Sequence, residues 1–294
     1  MRNNRPTLID YLLLSGLALV FGASFLFTSL AVRELPPLTV AVSRLALAAM
    51  LVSGLMLVQK KSLPKRGQIW WFIVGSAFFG NALPFALVAW GQVKVDAGLA
   101  AILMAVMPLI TVVIAHALTV DEKLNRYKIV GVLCGLVGVV VLMGWNQLDH
   151  LGDSALRQYA IAIAAVSYAV NAIITKRLTS TNRVSMIAAL LLVATAMLIP
   201  VAWWFGRSID IVLTTQSVLS VLVLAIGPTA LAMLVILVII DRQGASFLSQ
   251  INFFVPLFGV LLARVFLGET LPTNAWIALI VILFGVYLSR RGSA

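Results

Sequence analysis

Charged residues are scarce in this chain, and acidic residues are the scarcest. Asp and Glu together number 10 in 294 residues, and all charged residues make up 11% of the chain, against about 25% in an average soluble domain. Hydrophobic residues make up 62%, and a soluble protein of this size has too little interior to bury that much apolar surface. The composition therefore excludes an ordinary soluble domain and indicates a polytopic membrane protein.

Cysteine and histidine are almost absent, which excludes several kinds of chemistry. Cys134 is the single cysteine, so no intrachain disulfide can form, and His116 and His150 lie in separate segments. No spacing typical of metal ligands occurs, and we expect neither a metal nor a cofactor. The net charge of +11 would suggest nucleic acid in a soluble protein. Here the basic residues cluster in short loops, where they set topology, and we expect no nucleic-acid partner.

Long apolar runs divide the chain into segments of the length that a membrane span needs, about 20 residues. Unbroken runs are typical of α-helices, since a transmembrane β-barrel would show short segments of alternating hydrophobicity. The first run has no small-residue cleavage site, so we interpret it as a retained span. Ten α-helical spans are predicted, at residues 9–32, 38–58, 69–90, 97–119, 127–145, 159–175, 185–205, 218–240, 245–266 and 274–289.

The same hydrophobic pattern occurs twice in the chain. Shifting the sequence by 147 residues brings apolar blocks onto apolar blocks and Gly80 onto Gly227. Residues 1–147 and 148–294 would then each hold five spans, and because five is odd the two halves lie upside down relative to each other. Many secondary transporters use such inverted repeats to open a central site alternately to two sides.

Lysine and arginine fall mainly in alternate loops, on the side that also carries the amino terminus. Because cytoplasmic loops are enriched in these residues, both termini are predicted to be cytoplasmic. The predicted outer side receives few of them: Arg33, Lys94, Arg157 and Arg207.

Polar residues inside a span are costly in lipid, so each one is a candidate for a functional site. Hydrogen bonding between helices is the alternative interpretation of such residues. Under the repeat shift Ser24 corresponds to Asn171, and Phe21 to Tyr168. The predicted polar contacts of a central cavity are Ser24, Asn81, Asn171, Gln250 and Asn252. Its predicted apolar walls are Phe21, Phe79 and Tyr168.

Mid-span prolines free backbone carbonyls and can bend helices, so Pro84, Pro108, Pro228 and Pro256 are predicted as bending points. Arg44, in the second span, is predicted together with these prolines as a gating or hinge residue, and its role has two interpretations. It could contact an anion or form a gating ion pair. It could instead extend to the interface or bind carbonyl oxygens between helices, and this structural interpretation is favoured.

All acidic residues lie at span ends or in loops. This argues against proton coupling through a buried carboxylate, although Asp10 or Asp241 at the rim could still serve. A neutral or zwitterionic substrate with an apolar side chain suits such a cavity better than a strongly cationic drug. We expect spans one, three, four, six, eight and nine to line the cavity, and spans five and ten to support it from outside.

Several motifs, in the right order, resemble the EamA type of the drug/metabolite transporter superfamily. They are Phe21-Gly22-Ala23-Ser24-Phe25, Arg44, the central Pro108 and Pro256, and a Glu-x-Leu turn after each proline-containing span, at residues 122–124 and 269–271. The resemblance covers essentially the whole chain. Phe21 stands where tryptophan is common, and Tyr168-Ala169 replaces an aromatic-glycine pair.

The resemblance implies an exporter of small metabolites or drugs in the inner (plasma) membrane of a bacterium. Overall similarity is greatest to the exporters of aromatic and other neutral amino acids, and a proton-coupled multidrug or metabolite exporter is the alternative. A lipid-modifying enzyme would need intramembrane groupings of acid and histidine, which the spans lack. A channel would not need an inverted repeat with proline-broken helices. The repeat supplies both halves of a cavity, so a monomer can suffice.

Overall fold

Every regular element is helical in the computed structural model, which describes residues 6–118, 124–143, 153–178, 182–206 and 213–291. A helix satisfies its backbone hydrogen bonds internally, as lipid requires. The helices are α1 Leu8–Val32, α2 Pro37–Val58, α3 Ile69–Gly91, α4 Ala97–Leu118, α5 Arg126–Met143, α6 Asp153–Thr175, α7 Arg183–Gly206, α8 Thr215–Gly244, α9 Ile251–Leu267 and α10 Thr273–Arg291.

Seven helices in the described part of the chain are long and apolar enough to cross a membrane: α1, α2, α3, α4, α6, α7 and α8. Two more, α9 and α10, are shorter apolar helices. These helices agree with the predicted class, an all-α polytopic membrane protein. The count of ten spans and the inverted relation of the two halves stay predictions.

The start of α6 differs from the prediction. The helix begins at Asp153, well before the predicted residue 159, so residues 153–158, which the sequence assigns to a connection, are helical. Arg157 explains the difference, because its Cζ lies 4.1 Å from the centroid of the Trp90 ring and its Nη1 donates to Trp90 O at 2.6 Å. That carbonyl belongs to the last turn of α3, where helices leave carbonyls without partners. Polar residues that hydropathy assigns to a loop therefore extend the helix.

The ninth span is also interrupted where the sequence predicts a continuous helix. Gly244 has φ 83°, a conformation that a residue with a Cβ rarely adopts, and it ends the regular part of α8. One helical turn follows, Ser249 and Gln250 form a turn, and α9 begins at Ile251 instead of the predicted residue 245. The fourth span is broken in a similar way, by a turn at residues 105–106.

Helices α5 and α10 cross at two glycines. A Cβ built on Gly131 would lie 2.5 Å from Gly285 O, and a Cβ built on Gly285 would lie 2.5 Å from Gly131 O. Small residues of this kind let helix backbones approach closely in a membrane. Gly131, Gly135 and Gly138 of α5 therefore all pack against other helices of the same chain.

Glu269 connects the turn between α9 and α10 to the start of α4. Its two carboxylate oxygens accept the backbone N–H groups of Ala97 and Gly98, both at 2.9 Å. Those groups have no partner within their own helix, and a negative charge also complements the helix dipole there. The second Glu-x-Leu motif is thus a helix cap, while Glu122 of the first motif and Trp145, the predicted end of the fifth span, lie outside the described residues.

Candidate substrate cavity

A cavity of about 370 Å³ lies between the helices, within the size range of small-molecule sites, roughly 300–1,000 Å³. Residues of α1, α2, α3, α4, α6, α8 and α9 line it. Six of these helices were expected, and α2 is an addition that the sequence did not predict. No described residue of α5 or α10 lines the cavity.

Both α3 and α8 contain a π-helical segment at the cavity, at Phe78–Ala82 and Ile226–Leu231. Proline accounts for both segments, because Pro84 and Pro228 lack an N–H donor and their rings clash with the carbonyl four residues earlier. The two segments coincide within about two residues under the repeat shift. Single-turn π segments are frequent at functional sites.

Thr229 links the break in α8 to the arginine of α2. Pro228 leaves the carbonyl of Leu224 without its helical partner, and Thr229 Oγ1 donates to that carbonyl at 2.7 Å. The same hydroxyl oxygen accepts a hydrogen bond from Arg44 Nε at 2.6 Å. Pro228, in the second half of the chain, thereby positions the Thr229 hydroxyl as an acceptor for Arg44, in the first half.

Arg44 is buried, with 7% of its surface exposed, and it lies on the cavity wall. Its Nη1 donates to Ser24 Oγ at 3.3 Å, and its Cζ lies 3.9 Å from the centroid of the Phe85 ring. Among the residues that the structure describes, Arg44 forms no ion pair. Neighbouring helices surround it. Its partners are hydroxyls and a ring and not the backbone carbonyls of the favoured interpretation, and whether Arg44 has a structural or an anion-binding role stays a prediction.

Two asparagines place amide groups at the cavity beside the π segment of α3. Asn81 is 2% exposed, and its Nδ2 makes a long hydrogen bond to Ser76 O at 3.4 Å, while its Oδ1 has no partner among the described groups. Asn171 of α6 is held differently, since Ser76 Oγ donates to its Oδ1 at 2.6 Å. A buried acceptor without a partner on a cavity wall is a place where a ligand or water completes the hydrogen bonding.

The structure brings most of the predicted residues together on the cavity wall: Phe21, Ser24, Arg44, Asn81, Pro108, Tyr168, Asn171, Pro228, Asn252 and Pro256. The two pairs related by the repeat shift are all among them. The structure shows that these residues lie on the wall, and their contact with substrate stays a prediction.

Gln250 and Phe79 do not line the cavity, contrary to the predicted site. Pro84, predicted as a bending point, is not on the wall either, but it lies just after the π segment of α3. Gln250 instead borders a separate cleft with Phe254 and Tyr287. Gln250 lies in the turn before α9, whereas Asn252 lies in the first turn of that helix. Residues two apart on a helix point in different directions, which separates the Phe79 ring from Asn81. Phe79 keeps a structural contact, because its carbonyl accepts Ser167 Oγ at 2.7 Å.

Thr229 and Phe85 were missed as partners of Arg44. A threonine directly after a mid-span proline is the signal that could have identified Thr229, because its hydroxyl can satisfy a freed carbonyl. Nothing in the sequence distinguishes Phe85 from the other phenylalanines of its span.

Acidic side chains lie towards the helix ends. Asp10, in the first turn of α1, accepts Arg242 Nε at 2.6 Å and Gln243 Nε2 at 2.8 Å. Asp241 forms an ion pair with Arg183. No carboxylate lines the cavity in the described part of the chain, so the charge of Arg44 has no counter-charge on the described wall.

Apolar helices long enough to cross a membrane, packed around a cavity with a few polar groups, are the features of a multi-pass membrane transporter. The chain belongs to the EamA-like transporter family, whose sequence profile matches residues 8–144 and 158–291. The family resemblance is therefore confirmed, and the chain is a transporter and not an enzyme.

Relatives match over nearly the whole chain. The uncharacterized transporter YoaV of Bacillus subtilis is 23% identical over 276 residues, covering 93% of this chain and 94% of the relative. The uncharacterized inner membrane transporter YedA of Escherichia coli is 25% identical over 280 residues, covering 95% of this chain and 90% of the relative. A solved crystal structure shares the fold, with a TM-score of 0.67 and 20% identity over 97% of this chain and 99% of that chain.

Proposed function

We propose that this protein is an alternating-access carrier that exports small amphipathic metabolites, foremost aromatic and other apolar amino acids. The observation that carries the proposal is the central cavity, where proline-linked π segments of α3 and α8 meet one mostly apolar wall. Unwound or widened helices at a central site are typical of secondary transporters.

The proposed architecture is ten spans in two inverted repeats, residues 1–147 and 148–294. The two π segments support it, because their positions differ by only one or two residues more than the repeat shift of 147. The two separate matches to the family profile support it as well. Because one chain supplies both halves of the cavity, we propose a functional monomer in the lipid bilayer.

The proposed location is the inner (plasma) membrane of a bacterium, with both termini in the cytoplasm. YedA, the relative named as an inner membrane transporter, supports the location. The excess of lysine and arginine in alternate loops supports the orientation.

Apolar and aromatic residues dominate the wall and suit an apolar side chain, while Asn81, Asn171 and Asn252 offer amide groups to a polar head. A cationic drug would meet the charge of Arg44 without a carboxylate to offset it on the described wall. Proton-coupled drug export, the alternative, would need an acidic side chain that binds and releases protons, and the described cavity wall has no carboxylate. Asp10, at the rim, is already bound by Arg242 and Gln243.

Uptake of radiolabelled phenylalanine by proteoliposomes, with and without a pH gradient, tests the proposal. We expect saturable uptake that unlabelled tryptophan and methionine inhibit, that preloaded substrate accelerates, and that the gradient leaves unchanged. The Asn81→Ala/Asn252→Ala double variant should transport less, while Gln250→Ala, outside the cavity, serves as the matched control. Uptake of cationic drugs alone, driven by the pH gradient, would replace this proposal by the proton-coupled alternative.

A further inference from the structure

The charge of Arg44 has no counter-charge in the described part of the protein, although the side chain is buried between helices. Burying a guanidinium without a paired anion is costly, and intramembrane arginines are usually paired or functional. Thr229 and Ser24 are neutral hydroxyls, so they orient the group without balancing its charge. An anion from outside the chain would complete this site.

The orientation of the guanidinium favours a planar anion. Phe85 covers one face of the group, and Thr229 and Ser24 take two of the five N–H donors that an arginine carries. The remaining donors lie in the plane of the group, and a carboxylate matches such coplanar donors with two parallel hydrogen bonds.

The rest of the described wall limits the charge of the ligand. Arg44 is the one lysine or arginine on the described wall, and a single cation balances a monoanion and not a phosphate monoester. No aspartate or glutamate lines the described wall either, so a substrate ammonium group would find neutral groups there, such as the side chains of Asn171 and Asn252. The carboxylate should therefore contribute far more to binding than the amino group.

We propose that Arg44 binds the carboxylate of the substrate and that the transported class is small amphipathic monocarboxylates, of which apolar amino acids are one subclass. This inference rests on the proposed carrier function and names its substrate class. Carboxylic acids that lack the amino group should be transported about as well as the corresponding amino acids. Amines that lack a carboxylate should not be transported.

Competition against radiolabelled phenylalanine uptake in wild-type proteoliposomes tests this without any substitution. We expect 3-phenylpropionate to compete about as well as phenylalanine. Phenethylamine, which has the ring and the ammonium but no carboxylate, should be about tenfold weaker or more, because it loses the charge-assisted hydrogen bonds. Equal competition by the amine overturns the role of Arg44 but leaves the carrier function intact. Absence of saturable transport of all three compounds rejects both proposals.

Variants provide a second readout. Arg44→Gln should raise the KM for phenylalanine about tenfold or more and remove the preference for acid over amine, and Arg44→Lys should keep part of that preference. Arg264→Gln, which removes an exposed arginine from α9, is the matched control and should leave both quantities unchanged. A correctly folded Arg44→Gln variant that still prefers the acid contradicts the proposal.

Discussion

The side-chain amide of Asn171 packs directly against the backbone of Gly80, so that a Cβ built on Gly80 would lie 2.6 Å from Asn171 Cγ. Ser76, about one turn before Gly80 on α3, holds the same amide, with Oγ 2.6 Å from Asn171 Oδ1. Helices α3 and α6 therefore meet at the cavity through a contact that depends on the missing side chain of Gly80.

Gly80→Ala is expected to displace Asn171 from the cavity wall. Over-packing of a tight contact costs about 1–3 kcal/mol, so we expect a lower melting temperature and a higher KM for substrate. Gly227→Ala is the matched control at the corresponding position of the second half, because its nearest neighbour would be Val20 Cγ1 at 3.6 Å. Thermal unfolding and uptake kinetics measure both effects, and equal behaviour of the two variants would contradict the prediction.

Asn81→Ala is expected to separate stability from transport. The Oδ1 of Asn81 is buried without a partner among the described groups. Such a group costs about 1–3 kcal/mol, so its removal should leave stability within about 1 kcal/mol or raise it. The KM for substrate should rise nonetheless, because Asn81 lines the cavity. Ser185→Ala also removes a buried oxygen without a partner in the described structure, but away from the cavity, and should leave the KM unchanged. A large loss of stability in Asn81→Ala would show that the amide is structural.

Gly285→Ala is expected to destabilise the protein without affecting substrate affinity. Its Cβ would lie 2.5 Å from Gly131 O and would force α5 and α10 apart, at a cost of about 1–3 kcal/mol. Neither helix contributes a described residue to the cavity wall, so the KM should not change. Gly54→Ala, with nothing within 4 Å, should be neutral or more stable by up to about 1 kcal/mol, since alanine favours helix. Melting temperatures in detergent compare the two, and an unchanged value for Gly285→Ala is the contrary result.

Two ion pairs near the end of α8 are expected to differ in strength. Asp10 is 2% exposed and its partner Arg242 is 43% exposed, whereas Arg183 and Asp241 are 46% and 59% exposed. Solvent screens exposed pairs, so Asp10→Asn should lower the melting temperature clearly more than Asp241→Asn. A double-mutant cycle of Asp10→Asn with Arg242→Gln should reveal the coupling, and additive effects would disprove it.

The helices could be predicted because their cause is local. A long apolar run must become a helix in lipid, whatever its neighbours are, and the predicted spans therefore overlap the observed helices. The start of α6 could not be predicted, because Arg157 extends that helix through a contact with Trp90, 67 residues earlier. Hydropathy assigns such an arginine to a loop, since it does not include partners from another helix.

Much of the cavity could likewise be predicted from polar residues in apolar runs and from the repeat. Ser24, Asn81 and Asn171 reach the wall, but Gln250 does not, because the sequence fixes the depth of a side chain and not its direction around the helix.

Arg44 shows what only the tertiary structure decided. From the sequence, an arginine in the second span could extend to the interface, bind groups between helices or contact an anion. Its position depends on Thr229, which lies 185 residues away and is turned towards it by the break at Pro228. The sequence by itself determined that the chain crosses a membrane in apolar helices with few polar groups. Which of those groups share one cavity depended on how distant helices pack, because a polar side chain in lipid takes its partner from the helices around it.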